Sequence, residues 1–249
     1  MSLGFLDVEA AVKSERFSPV ARSPMERLAR AAGGQFEIRD GWAVAVSYGS
    51  AEREAETVTR AAGWADTSHL GKLELQAEPE LLEAIVASNA SAPFELGCAH
   101  RAAGAWWCPL APSRLLVVCD PGRLAPVRGL LEQAVGASDV PGSLVDVTTV
   151  LAALTIVGPA AREMFARFCA IDLRAGATPP GAVRPGSVAR QPGVVLCEGE
   201  DRFTMLFGWA VAEYVWRQVD EAARQLGAAP VGVDALRPLD APVEVSSGA

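Results

Sequence analysis

Two segments of this 249-residue chain repeat one pattern of apolar and polar positions. "WADTSHLGKLEL" and "LVDVTTVLAALTI" each set an aspartate, Asp66 or Asp146, just before alternating apolar residues. Alternation with a period of two predicts a strand with one face buried. The two aspartates are 80 residues apart, and so are Pro79 and Pro159, which open "PELLEAIVASNA" and "PAAREMFARFCA". Both of these stretches predict helices with proline in the first turn, where its missing N–H costs nothing. Further on, "SRLLVVC" and "DRFTMLF" predict strands. Helices follow in "LAPVRGLLEQAVGA" and "AVAEYVWRQVDEAARQLGA", whose apolar residues recur at helical spacing and which end in Gly-Ala, glycine being a common helix stop.

The unit is strand, helix, strands, helix, used twice. Mixed elements with short links predict an α+β fold of two similar half-domains rather than a solenoid. The expected organisation is an N-terminal arm over 1–22, a first half over 23–140, a second over 141–240 and a tail over 241–249. The seam falls in the turn-rich "GASDVPGSL". Ahead of the first repeat, "SPMERLARAAGG" predicts a helix capped by Ser23 with Pro24 in its first turn, and "QFEIRDGWAVAVSYG" predicts a hairpin.

Composition narrows the partners. Half of the residues are hydrophobic, enough for a full core, and the formal net charge of −8 argues against nucleic acid or an anionic membrane surface. No apolar run reaches the roughly 18 to 20 residues of a membrane span, and the N-terminus lacks the pattern of a signal peptide. The five cysteines form no Cys-x-x-Cys pair and have no histidine at ligand spacing, so the expectation is reduced thiols, a cytoplasmic protein and no metal. Nucleotide-binding, serine-hydrolase and zinc-protease signatures are absent.

Local chemistry is sparse. Asp66, Thr67 and Ser68 read as a turn cap at the mouth of a strand, and Asp146 as its counterpart. His69, one of two histidines, is a candidate for a pocket wall. Trp106 and Trp107 read as core packing for both rings or, since adjacent strand residues face opposite ways, as one ring facing a flat ligand while the other is buried; Trp107 is the candidate for the ligand-facing ring. Glu200, Asp201 and Arg202 form a polar cluster before an apolar strand.

The ordered segments "GWAVAVSYGSAEREAETVTRAAGWADTSHLGKLEL", "VDVTTVLAALTIVGPAAREMF", "EGEDRF" and "VGVDALR" resemble the aminomethyltransferase superfamily, the T-protein of the glycine cleavage system. The resemblance covers roughly residues 23 to 240. It implies two folate-binding halves, here without the C-terminal barrel that the family commonly adds. In extent the chain is similar to the gamma subunit of heterotetrameric sarcosine oxidase. Tetrahydrofolate is the implied cofactor, and the implied ligand contacts are Tyr48, His69, Asn89, Trp107 and Glu200. Three polar groups of the family pattern are replaced: the aspartate after asparagine by Ala90, the pterin-binding glutamate by Thr204 and an arginine by Val233. Their loss leaves catalytic residues unassigned and argues against independent aminomethyl transfer. The alternatives are a noncatalytic subunit of a sarcosine-oxidase-like amine oxidase, with a protein partner, or a carrier of another flat small molecule.

Overall fold

The computed structural model describes residues 19–236. Most of the expected N-terminal arm and all of the expected tail lie outside the described residues. The chain opens with a short strand β1 (Ala21–Arg22), helix α1 (Glu26–Ala31) and the expected hairpin, β2 (Gln35–Arg39) and β3 (Trp42–Ser47). Asp40 and Gly41 at the hairpin tip both have positive φ, the turn that matches the twist of paired strands. The cap position of helix α1 is Met25, two residues beyond the expected Ser23. Ser23 instead accepts a hydrogen bond from the Met25 N–H at 3.1 Å, and the helix starts without a side-chain cap.

Helix α2 (Ala51–Arg60), capped by Ser50, leads into β4 (Gly63–Asp66) and β5 (Gly71–Ala77). Helix α3 (Pro79–Ala90) has the expected bounds and stops at Ser91 in the left-handed conformation. Strands β6 (His100–Ala102), β7 (Ala105–Ala111) and β8 (Arg114–Cys119) follow, then α4 (Leu124–Gly136) and β9 (Gly142–Asp146). The second run is β10 (Leu151–Val157), α5 (Ala161–Ala166), β11 (Val183–Val188), β12 (Gln191–Gly199), β13 (Arg202–Gly208), α6 (Ala212–Arg224) and β14 (Ala229–Pro230). Helix α5 is half the expected length, because Cys169 leaves the helix to bridge Val188.

Two large sheets share one strand order. One runs β6-β7-β8-β5-β9 and the other β11-β12-β13-β10-β4-β14; a third, smaller sheet is β1-β3-β2. The ends of the large sheets are exchanged: β4 precedes β5 in the chain but pairs with β10, while β9 precedes β10 but pairs with β5. Asp66 stands opposite Leu154, and Asp146 opposite Leu73.

The crossover repeats in atomic detail. The Asp66 carboxylate accepts from Ser68 N–H at 3.0 Å, and the Asp146 carboxylate from Thr148 N–H at 2.9 Å. Ser68 Oγ accepts from Ala153 N–H at 3.1 Å, and Thr148 Oγ1 from Lys72 N–H at 3.0 Å. Thr67 N–H reaches Ala153 O, as Val147 N–H reaches Lys72 O. The Asp-Thr-Ser cluster therefore does the turn-capping work expected of it, and it also carries the pairing with β10 beyond the end of β4, as far as Ala153.

Packing gives four layers. Leu73, Leu75, Leu115 and Val117 pack with Leu82, Ile85, Val127 and Leu131 of α3 and α4. Leu154, Ile156, Phe203 and Met205 pack with Met25, Phe165, Val215 and Val219 on the opposite outer face. Between the sheets, Cys108, Leu116 and Val118 meet Ala153, Leu196 and Leu206.

Candidate functional site

The inner faces of the two sheets turn from apolar to polar along several strands, and the change follows from the period of two. On β10 the inner face reads Leu151, Ala153, Thr155; on β13, Leu206, Thr204, Arg202; on β12, Val194, Leu196, Glu198. Register brings the polar ends together, with Thr155 opposite Thr204 and Thr204 opposite Leu196. A β-bulge between Cys197 and Gly199 sets Glu198 out of the regular ladder, the device by which sheets re-aim one side chain. From the other sheet come Trp106, Val118 and Arg101.

Thr155, Glu198, Arg202, Arg101, Trp106 and Val118 line an open cavity of about 350 Å³, together with Thr67, His69, Leu70, Cys119, Asp120 and Val233. That volume lies in the range of small-molecule sites. One wall of it is fixed by Gly232, whose N–H donates to Glu54 Oε2 at 2.6 Å. A Cβ on Gly232 would lie 1.8 Å from Val46 O, so only glycine lets this segment lie against β3 and carry Val233 to the cavity.

The polar floor is a ladder of hydroxyls. Thr67 Oγ1 lies 3.0 Å from Thr155 Oγ1, which lies 2.7 Å from Thr204 Oγ1, and all three threonines are buried. Beside it, Arg202 Nε donates to Glu198 Oε2 at 2.6 Å, and the Glu198 side chain is only 5 % exposed. Burial pulls the His69 pKa down to about 4, helped by the Lys72 ammonium, so the imidazole is neutral near pH 7. Burial, with the Asp120 and Asp146 carboxylates, pushes the Cys119 thiol up to about 11. The cavity thus holds no thiolate nucleophile at neutral pH. Its equipment is that of a binding site: an aromatic wall, a buried carboxylate, guanidinium groups and a neutral imidazole.

Of the five residues expected to touch a ligand, His69 alone lines this cavity. The tryptophan pair is reversed relative to expectation. Trp107 is 2 % exposed and packs in the core under α3 and α4, while Trp106 faces the cavity. Tyr48 packs on the helix-covered face of the six-stranded sheet, with its buried hydroxyl unpartnered. The Asn89 amide donates to Ile85 O and Ser88 Oγ on its own helix. Glu200 sits in the β12–β13 turn with its side chain 76 % exposed, 3.9 Å from Arg162. Arg101, Trp106, Glu198 and Arg202 are the cavity residues missed as ligand contacts. The signal for two of them was present, since "VVLCEG" and "DRFTMLF" each carry a charge in phase with residues of the inner face.

Among the described residues no helix is long and apolar enough to cross a membrane, and no cluster of His, Cys, Asp or Glu is arranged to hold a metal.

The architecture is shared with known proteins. An aminomethyltransferase of Saccharopolyspora erythraea is 27 % identical over 235 residues, covering 87 % of this chain and 62 % of its own. The glycine cleavage system aminomethyltransferase T of Bartonella henselae superposes with a TM-score of 0.69 at 18 % identity, over 87 % of this chain and 60 % of that one. A chain of the heterotetrameric sarcosine oxidase of Corynebacterium sp. U-96 gives a TM-score of 0.62 at 21 % identity, over 84 % of this chain and 97 % of that one. The chain thus spans about three fifths of the length of the aminomethyltransferases it matches. The GCVT N-terminal domain matches residues 25–241, most of the sequence, and the chain belongs to that family.

Proposed function

We propose that this protein binds a tetrahydrofolate-class ligand in the cavity between its sheets and serves one-carbon metabolism in the cytoplasm as a binding or accessory member of its family. The observation that carries the reading is the polar end of the inter-sheet layer, where Trp106, His69, Glu198 and Arg202 converge on one cavity. The residues fit such a ligand. A pterin ring has two apolar faces, suited to Trp106, Leu70 and Val118, and an edge of N–H donors suited to a buried carboxylate. The Arg202 guanidinium holds that carboxylate by a charge-assisted hydrogen bond.

The same cavity argues against aminomethyl transfer by this chain alone. Val233 lines the wall where the family pattern has an arginine, and Thr204, in place of a glutamate, is bound within the hydroxyl ladder. We further infer that the shared strand order and the matched crossovers descend from an internal duplication.

A second reading has its own support. The sarcosine oxidase chain is matched over almost its whole length, which favours a subunit role beside a partner chain. Calorimetric titration with tetrahydrofolate tests the first reading, with an aminomethyltransferase as positive control. Micromolar binding without turnover is the expected result. Absence of heat at high protein concentration would sink the folate reading and turn attention to a partner.

A further inference from the structure

We infer that Glu198 is the recognition carboxylate of the cavity, selecting planar heterocycles that present adjacent N–H donors on one edge, and that Arg202 positions it. The inference rests on the folate reading and names the residue that would carry its specificity.

Glu198 is singled out by elimination among the acceptors that line the cavity. The Thr67 and Thr155 hydroxyls are engaged with each other and with Thr204. Asp120 is exposed at the cavity mouth, beside the turn where Arg123 N–H binds its carbonyl. His69 is neutral, and one ring nitrogen at most can accept. The Glu198 side chain is buried, and the bulge at Cys197–Gly199 sets it apart from its strand's ladder. A carboxylate has about four lone-pair positions, so a single bond from Arg202 Nε leaves it able to take further donors.

Geometry also explains why the carboxylate stands on β12. Thr204 on β13 is opposite both Thr155 and Leu196, at one end of the hydroxyl ladder, with its Oγ1 2.7 Å from Thr155 Oγ1. A longer acidic side chain there would have to displace the ladder. Two residues along β12 from Leu196, Glu198 reaches the same end of the cavity without disturbing it, and the guanidinium four residues on holds it across the hairpin.

The test compares tetrahydrofolate with its 2-desamino-2-methyl analogue, which lacks one edge donor, by calorimetry on the intact chain. The parent protein should prefer tetrahydrofolate by about tenfold or more, as expected when a buried acceptor loses its donor. Glu198→Gln should abolish the preference. The double variant Glu198→Gln with Arg202→Gln, which removes both charges, should do the same if the single variant folds poorly. Equal affinity of the parent for the two ligands overturns the inference, as does a folded variant that keeps the preference; tetrahydrofolate binding would then stand with another contact. A parent chain that binds neither ligand overturns the folate reading and this inference together.

Discussion

Lys72 lies at the crossover between the sheets, fully buried, its ammonium donating to Ser68 O at 2.8 Å. Burial lowers its pKa from 10.5 to about 8, against the opposing pull of Asp66 and Asp146. The linkage sign follows from the lowered value. Above about pH 10.5 the amine is neutral in both folded and unfolded chains, and its burial carries no charge penalty. As pH falls toward 8, the unfolded chain takes up the proton first, so folding stability is lost. Below about pH 8 a constant penalty of about 3 kcal/mol remains, from about 1.4 kcal/mol per pH unit. Burial raises the Cys119 and Cys108 thiols, which tilts the curve the other way at alkaline pH. The difference between parent and Lys72→Met isolates the lysine. Urea unfolding followed by tryptophan fluorescence should show that difference moving by about 3 kcal/mol in favour of the parent between about pH 7 and 11. The orphaned Ser68 carbonyl offsets both ends of the comparison equally and leaves the slope untouched. Parallel curves, within roughly 0.5 kcal/mol over that range, would refute a buried lysine whose charge opposes folding.

Three other outcomes are expected. Trp107→Ala should lower the unfolding free energy by about 3 to 5 kcal/mol, whereas Trp106→Ala should weaken ligand binding at a much smaller cost in stability; equal costs would reverse the assigned faces. Gly232→Ala should cost more than about 3 kcal/mol, because the atom it strikes is the backbone carbonyl of Val46; a thermal midpoint within a few degrees of the parent would contradict that contact. In an NMR titration His69 should have its midpoint near 4, lowered from 6.5, and its contribution to stability should be complete above about pH 6.5 and lost as pH falls toward 4. A His69 midpoint near 6.5 would place the ring in water.

Much of the fold was legible because its elements carry strong periods. The Asp-Gly hairpin, the proline-led α3 and the strands at 114–119 and 202–208 lie close to where alternation and turn chemistry put them. The exchange of β4 and β9 was not legible, since a strand's own pattern says that one face is buried and nothing about which neighbour it pairs with. The candidate site shows the same division. His69 was found as a polar residue inside an apolar context. Trp106 and Trp107 were assigned the wrong way round because two adjacent aromatics satisfy either phase of a strand. Glu198 was passed over in favour of Glu200, yet the bulge and the turn leave Glu198 buried and Glu200 in solvent, and neither feature has a residue type that announces it.

The matched crossovers give the Lys72 and Ala153 N–H groups corresponding hydrogen bonds, to Thr148 Oγ1 and Ser68 Oγ. In an assembly of two identical chains joined by the same exchange, a lysine at that point would occur twice, and two buried ammonium groups would face one seam. One continuous chain is free of that constraint. It can carry a cation on one side and a methyl group on the other, and it can make one end of the inter-sheet layer polar while keeping the rest dry. Asymmetry at the crossover is thus a freedom that covalent connection confers, and substitutions in one half need never be matched in the other.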